Sequence, residues 1–212
     1  MQYRVYKISD HRVLKVPTTR LQKLITLFQW GYRNPIRVIR DMREADRALR
    51  RSICPLRTRM QSLDASLFGN PTFYDDLSYE QDVALPLELY FESHSLAENM
   101  KAVDSYIDMV LHLWGYGISD FVFNFTLNNA ITPAGKVITI DVGELVFSKE
   151  SVESLIREKK WVQQYSYENL NDTLLQRYFA EQANRWFTHE NLDKYWRDPE
   201  SFPDHHVHEE GC

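Results

Sequence analysis

An α+β fold is predicted by three observations. Short β-prone runs broken by turn residues recur through the first 90 or so residues. Helical periodicity dominates from residue 96 onward. A second hairpin pattern, at 130–140, lies inside that helical half. Strands this short, joined by tight turns, imply small antiparallel sheets.

The elements follow in order. Residues 3–8 and 12–16 alternate around Ser9-Asp10-His11 and read as a hairpin, which Pro17-Thr18-Thr19 ends. Leu21, Leu24, Ile25, Leu27 and Phe28 have helical spacing that stops near Gly31. Asn34-Pro35 supplies an N-cap and an N1 proline for a second helix reaching about Ser52. Residues 66–68 and 72–74 flank the turn signal Gly69-Asn70-Pro71 and are expected to be strands. Residues 82–90 alternate as another strand, demoted to an edge or bulge by Pro86. From Leu96 to Trp114, the residues Val103, Tyr106, Ile107, Val110, Leu111 and Trp114 form one apolar stripe, closed by Gly115. Further helices are expected at 149–164, 170–187 and 191–196, with Trp161, Trp186 and Trp196 in their core and a polar tail at 204–212. A break at 93–95 divides the chain into a strand-rich segment 1–93, a helical segment 94–203 and the tail.

Composition limits the function classes. An apolar share of 43% and an aromatic share of 13% suit a folded core and exclude a disordered chain. No run approaches the roughly 20 apolar residues of a membrane span, and the N-terminus has no apolar signal core. Cys54 and Cys212 suggest no disulfide framework, so a soluble, cytoplasmic protein is expected. The net charge of −5 gives no global pull on nucleic acid, but nine arginines against Asp41, Glu44 and Asp46 put about +6 on residues 33–59.

The richest chemistry lies in residues 121–143, FVFNFTLNNAITPAGKVITIDVG. An apolar strand, 121–123, leads into a polar loop ending at Asn128-Asn129. A hairpin follows, bent at Pro133-Ala134-Gly135 and ending at Asp141-Val142-Gly143. The two ends of an antiparallel pair lie side by side, so Asn129 and Asp141 are expected to converge. Two hard oxygen ligands brought together suit a phosphate-bound Mg²⁺.

This segment resembles the catalytic and metal loops of the protein-kinase-like superfamily, H-R-D-x-x-x-x-N followed by a hairpin and D-F-G. The resemblance puts Asn129 at the metal-binding Asn, Asp141-Val142-Gly143 at D-F-G and Asn124 at the position of the catalytic base. In the alternative register Asn128 takes the metal position and Phe123 the base position; neither register supplies a carboxylate. Asp120 stands about 10 Å from Asn124 if the strand is extended, too far to replace the base. The same residues also read as an ordinary hairpin of another α+β domain. Lys15, in Val13-Leu14-Lys15-Val16, resembles the family's strand lysine, and Glu44 on the following helix is chosen as its counter-charge; otherwise Lys15 is a half-exposed strand lysine and Glu44 a surface acid between Arg40 and Arg47.

No glycine-rich loop precedes the lysine strand in this sequence, and nothing after Gly143 resembles A-P-E. The nearest resemblance is to the small bacterial proteins named for the PhoP regulatory network, which have a reduced helical lobe and a degenerate base position. It implies a reduced two-lobed kinase-like fold: a small antiparallel sheet lobe with one or two helices and a mainly helical C-terminal lobe. It also implies a regulatory, pseudokinase-like module with an ATP–Mg²⁺ site at Lys15, Glu44, Asn129 and Asp141. An active atypical kinase with low phosphotransfer is the enzymatic alternative. A third reading makes the chain an adaptor whose Arg33, Arg37, Arg40, Arg43, Arg47 and Arg50, recurring along one helix face, take an acidic protein, a phosphate or RNA. The few aromatics nearby, Trp30 and Tyr32, disfavour nucleic acid. Opposite that face, Ile36, Ile39, Met42, Ala45 and Leu49 are expected to pack on the sheet. His205, His206, His208 and Cys212 read as a loosely metal-capable tail without a role.

Overall fold

The computed structural model describes residues 3–29, 34–120, 123–168 and 170–198. The tail and Arg33 lie outside these residues, as does most of the expected strand at 121–123.

The first hairpin forms as its alternation predicts: β1 (Tyr3–Lys7) pairs antiparallel with β2 (Arg12–Pro17). Helix α1 (Arg20–Gln29) follows, then α2 (Pro35–Arg59), which starts on the predicted cap. The Asn34 side chain accepts from the N–H groups of Ile36 and Arg37, and Pro35 opens the helix. The helix runs seven residues past Ser52 and carries Pro55 inside it. Val38, Leu49, Ile53 and Leu56 form its buried stripe. That side packs on the 142–144 turn, which holds the last turns in place despite the donor lost at proline. Cys54 is disulfide-bonded rather than a free thiol.

Residues 66–68 are not a strand. Short 3₁₀ turns occupy Met60–Ser62 and Ala65–Phe68, the second because the Asp64 carboxylate caps Ser66 N–H and Gly69 ends it in the left-handed region, at φ 64°. A Cβ at Gly69 would stand 3.0 Å from Ile138 Cδ1, so a larger residue would also have to push that side chain aside. Strands β3 (Thr72–Phe73) and β4 (Tyr79–Asp82) complete a sheet of order β1-β2-β4-β3. The expected strand at 82–90 is a two-residue β5 (Leu85–Pro86) and then a helix, α3 (Leu87–Ser93). Pro86 has no N–H to continue the ladder, and Glu88 in the first turn suits a helix start.

A complete capping box at Ser95 and Glu98 begins α4 (Leu96–Trp114), which ends at Gly115 as predicted. Strand β6 (Ser119–Asp120) leads to the short α5 (Phe125–Asn128), where an irregular loop is expected. The hairpin β7 (Asn129–Ile131) and β8 (Val137–Thr139) pairs as predicted and joins β5. A 3₁₀ turn at Val142–Glu144 feeds β9 (Leu145–Val146), which returns to pair with β6. The rest is helical: α6 (Lys149–Arg157), a 3₁₀ turn at Lys160–Gln163, α7 (Tyr165–Glu168), α8 (Thr173–Trp186) and α9 (His189–Tyr195).

The architecture is therefore α+β, with helices and small antiparallel sheets around a continuous apolar cluster that reaches from Tyr3 and Tyr79 to Trp196. Beneath residues 123–128 the cluster is aromatic. Phe125 stacks on Phe179 at 3.9 Å, and Phe123 meets Trp161 and Phe187 at 5.9 and 5.1 Å. No helix among the described residues is long and apolar enough to cross a membrane.

Candidate functional site

Lys15 is the one strongly buried lysine of the first sheet, 8% exposed, with Val5 and Tyr79 as its cross-strand neighbours. Its Nζ donates to the backbone carbonyl of Ile140 and lies 5.8 Å over the Tyr79 ring. Burial pushes the ammonium down to about 8, against a smaller upward pull from the Asp141 carboxylate. Burial likewise raises the hydroxyls of Tyr3 and Tyr79, with Asp141 adding to both. The Tyr79 hydroxyl is fully buried beside Val142 and has no complete hydrogen bond. Lys15 and the turn that carries Asp141 are thus brought together across 125 residues of sequence.

The counter-charge chosen on α2 is not there. Glu44 is exposed and makes no ion pair with Lys15. The residue of α2 that does touch the site is Ser52, whose buried hydroxyl lies 3.1 Å from Gly143 O and 3.0 Å from Leu145 O. It is the small polar residue within the apolar stripe of α2, and that interruption was the available signal.

Asp141 caps its own turn by accepting from Gly143 N–H at 3.0 Å. The amide that meets this turn is Asn128 rather than Asn129. Asn128 Nδ2 donates to Glu144 Oε2 at 2.8 Å and Asp120 Oδ2 at 3.1 Å, while its carbonyl accepts from the N–H groups of Ile140 and Asp141. Asn129 faces the interior of the hairpin instead. Its Nδ2 donates to Phe125 O, and its Oδ1 accepts from Thr139 Oγ1. Because successive strand residues point to opposite faces, one position decides which amide reaches the cluster.

Asp120 also joins the cluster, contrary to the extended-strand expectation. Phe123 has φ 50°, so the chain turns back, and Asp120 Oδ1 accepts from Phe123 N–H at 3.2 Å. Glu144, missed in the sequence, is half-buried; burial raises its carboxyl, the Asn128 hydrogen bond pulls it back, and the Asp141 charge adds to the rise. Asn124 stands apart. Its Oδ1 accepts from Ser166 Oγ, which in turn accepts from Thr126 Oγ1 at 2.8 Å. Thr126 and Ser166 border a cavity of about 330 Å³ edged by Glu88, Phe91, Glu92 and Leu175.

The Asp141 charge acts on Glu144, and Asn128 links Glu144 to Asp120. A dication is the ligand that would relieve this crowding of negative charge. Among the described residues no three His, Cys, Asp or Glu side chains gather into a metal site by themselves, so such an ion would need further oxygens, as a phosphate chain provides.

The arginine helix departs from expectation on its apolar side. Ile36 is 80% and Ile39 48% exposed, because Val38 rather than either isoleucine turns to the core. Arg37 and Arg40 share Asp41, and Arg50 pairs with Asp76, whereas Arg43 and Arg47 are exposed with no ion pair among the described residues. No protein-family model matches the chain, and no curated protein is found similar to it.

Proposed function

We propose that the site where β2 meets the 140–144 turn binds a nucleotide with Mg²⁺, and that the chain is a kinase-like regulatory module rather than an efficient phosphotransferase. The observation that carries this is the Lys15 contact to Ile140, beside Asp141, made across 125 residues of sequence. The strand order and the pairing of β6 with β9 on either side of the β7–β8 hairpin agree with a reduced two-lobed arrangement. Asp141 and Glu144 would hold the cation, and Asn128 would fix the orientation of Glu144. A bound Mg²⁺ would neutralise phosphate charge. Lys15 would give its ammonium to a phosphate oxygen, and Tyr79 would keep the lysine stem in place. Asn124 has no carboxylate to accept a hydroxyl proton, and its amide is engaged by Ser166. General-base help is ordinarily worth about 10²–10⁴-fold, so turnover is expected to be slow or absent.

Thermal shift with ATP and Mg²⁺ tests the reading. Ligand at about 100 times its Kd stabilises by about 2.7 kcal/mol, a rise of roughly 5–10 °C for a chain of this size. The rise should vanish in Asp141→Asn and fall in Asn128→Ala. No shift at millimolar ATP sinks the assignment.

A second reading rests on Arg43 and Arg47, which are exposed and make no ion pair among the described residues. It makes α2 a contact surface for an acidic protein. Charge reversal at both positions should then abolish that binding and leave the nucleotide shift intact.

A further inference from the structure

β1 is an edge strand, and among the described residues no strand pairs with its outer side. The bond from Ile8 N–H to Arg12 O, 3.1 Å, sets the phase of the hairpin ladder. Tyr6–Leu14 and Arg4–Val16 are then the pairs that exchange hydrogen bonds, so the N–H and C=O groups of Tyr3, Val5 and Lys7 point outward. Four of the five residues of β1 are exposed, including Val5 at 57% and Tyr6 at 46%. An open edge with exposed apolar residues is a template for another strand unless its charges forbid pairing.

We propose that this edge pairs with the same edge of a second copy of the chain, antiparallel about a two-fold axis through Val5. The sequence YRVYK is self-complementary in that register. Val5 faces Val5, Tyr3 faces Lys7 and Arg4 faces Tyr6 of the second copy. All the outward-pointing residues then exchange backbone bonds, and each basic residue meets a tyrosine instead of its like. Arg4 already reaches the Tyr6 hydroxyl at 3.5 Å within its own strand, so the guanidinium lies near the ring surface it would share. Sliding two residues either way cuts the overlap from five residues to three, and one of those slides sets Arg4 against Arg4. The charges that guard this edge against other strands therefore select this one.

The product is a continuous eight-stranded sheet of order β3-β4-β2-β1-β1-β2-β4-β3. Val5 is the cross-strand neighbour of Lys15 on the same face. The second copy would therefore extend the sheet on the side of Val5, next to the strand that carries Lys15. The proposal stands on the strand edge alone and does not depend on nucleotide binding.

Sedimentation equilibrium from about 5 to about 500 µM tests it, a range suited to an interface at the small, weak end. The wild type should move from monomer mass toward dimer mass. Val5→Pro removes the N–H at the axis, and Val5→Arg sets like charges face to face; each should raise the dimerisation midpoint at least about tenfold. Ile36→Glu, at an exposed apolar position away from β1, should leave association unchanged. Far-UV circular dichroism shows which variants are folded, and if the proline variant is not, the arginine variant decides. A wild type that stays monomeric throughout, or a folded Val5→Arg that associates like the wild type, overturns the proposal.

Discussion

Replacing Lys15 by methionine should change stability in a way that depends on pH with a definite sign. Burial lowers the Lys15 ammonium from 10.5 to about 8 in the folded chain. Between those values the unfolded chain still holds the proton that the folded chain has lost, so wild-type stability rises with pH through that window. Below about pH 8 both states are protonated, and the folded state bears the full cost of an ammonium held in a dry site. The difference of about 2.5 pH units corresponds to about 3 kcal/mol, of which about 2.5 kcal/mol is recovered between pH 7 and pH 10. Methionine keeps the stem length and carries no charge, so Lys15→Met should be more stable than the wild type at pH 7, with the gap shrinking by about 2.5 kcal/mol at pH 10. Urea unfolding of both proteins at the two pH values measures it directly, because the tyrosines and other alkaline groups titrate in both and cancel. A gap that stays constant with pH would refute the picture of Lys15 as a desolvated ammonium and reassign it to the solvated surface.

Two further outcomes follow from the same turn. Ser52→Ala removes the one hydroxyl between Gly143 O and Leu145 O, and leaving buried acceptors unpaired should cost about 1–3 kcal/mol, read as a lower melting temperature. Glu144 is raised in the folded state, so the folded chain binds more protons than the unfolded chain just above the ordinary carboxyl range, and stability falls as pH rises through that window. Glu144→Gln should therefore be more stable than the wild type at neutral pH and lose that advantage below about pH 4.5, which a melting series from pH 4 to pH 8 will show.

Much of this was readable from local sequence, and the failures share a cause. The β1–β2 and β7–β8 hairpins, the Asn34 cap and the start of α4 all follow from turn and capping chemistry that acts over three or four residues. Residues 66–68 and 87–90 are expected as strand because a run as short as Ser66-Leu67-Phe68, or an alternating run with a proline, fits a strand as well as a helix. Asp64 and Gly69 decide the first, and the missing donor of Pro86 the second. At the site, Lys15 and Asp141 were legible because a charged residue among apolar neighbours is conspicuous. The choice of Asn128 over Asn129 turns on a single-residue register that composition does not fix. Asp120 escaped because a strand was extrapolated through Phe123, which sits in the left-handed region. On α2 the site contact comes from Ser52 rather than Glu44, because helical periodicity ranks faces but does not say which turn of a 25-residue helix meets the site.

The Lys15–Ile140 contact has a consequence for how the chain is made. At about 5–20 residues per second, a ribosome needs roughly 6–25 s to deliver the 125 residues that separate the two partners. During that interval the first hairpin and α2 have emerged, while the turn that takes up Lys15 and Ser52 has not been synthesised. Leu49, Ile53 and Leu56 must wait with them, without the 142–144 turn that α2 packs on in the finished protein. The loop closure that ends this wait is entropically costly and comes late. A chain that stalls or terminates before residue 140 therefore presents an unpaired apolar helix and a buried-type lysine, a state suited to chaperone capture and proteolysis.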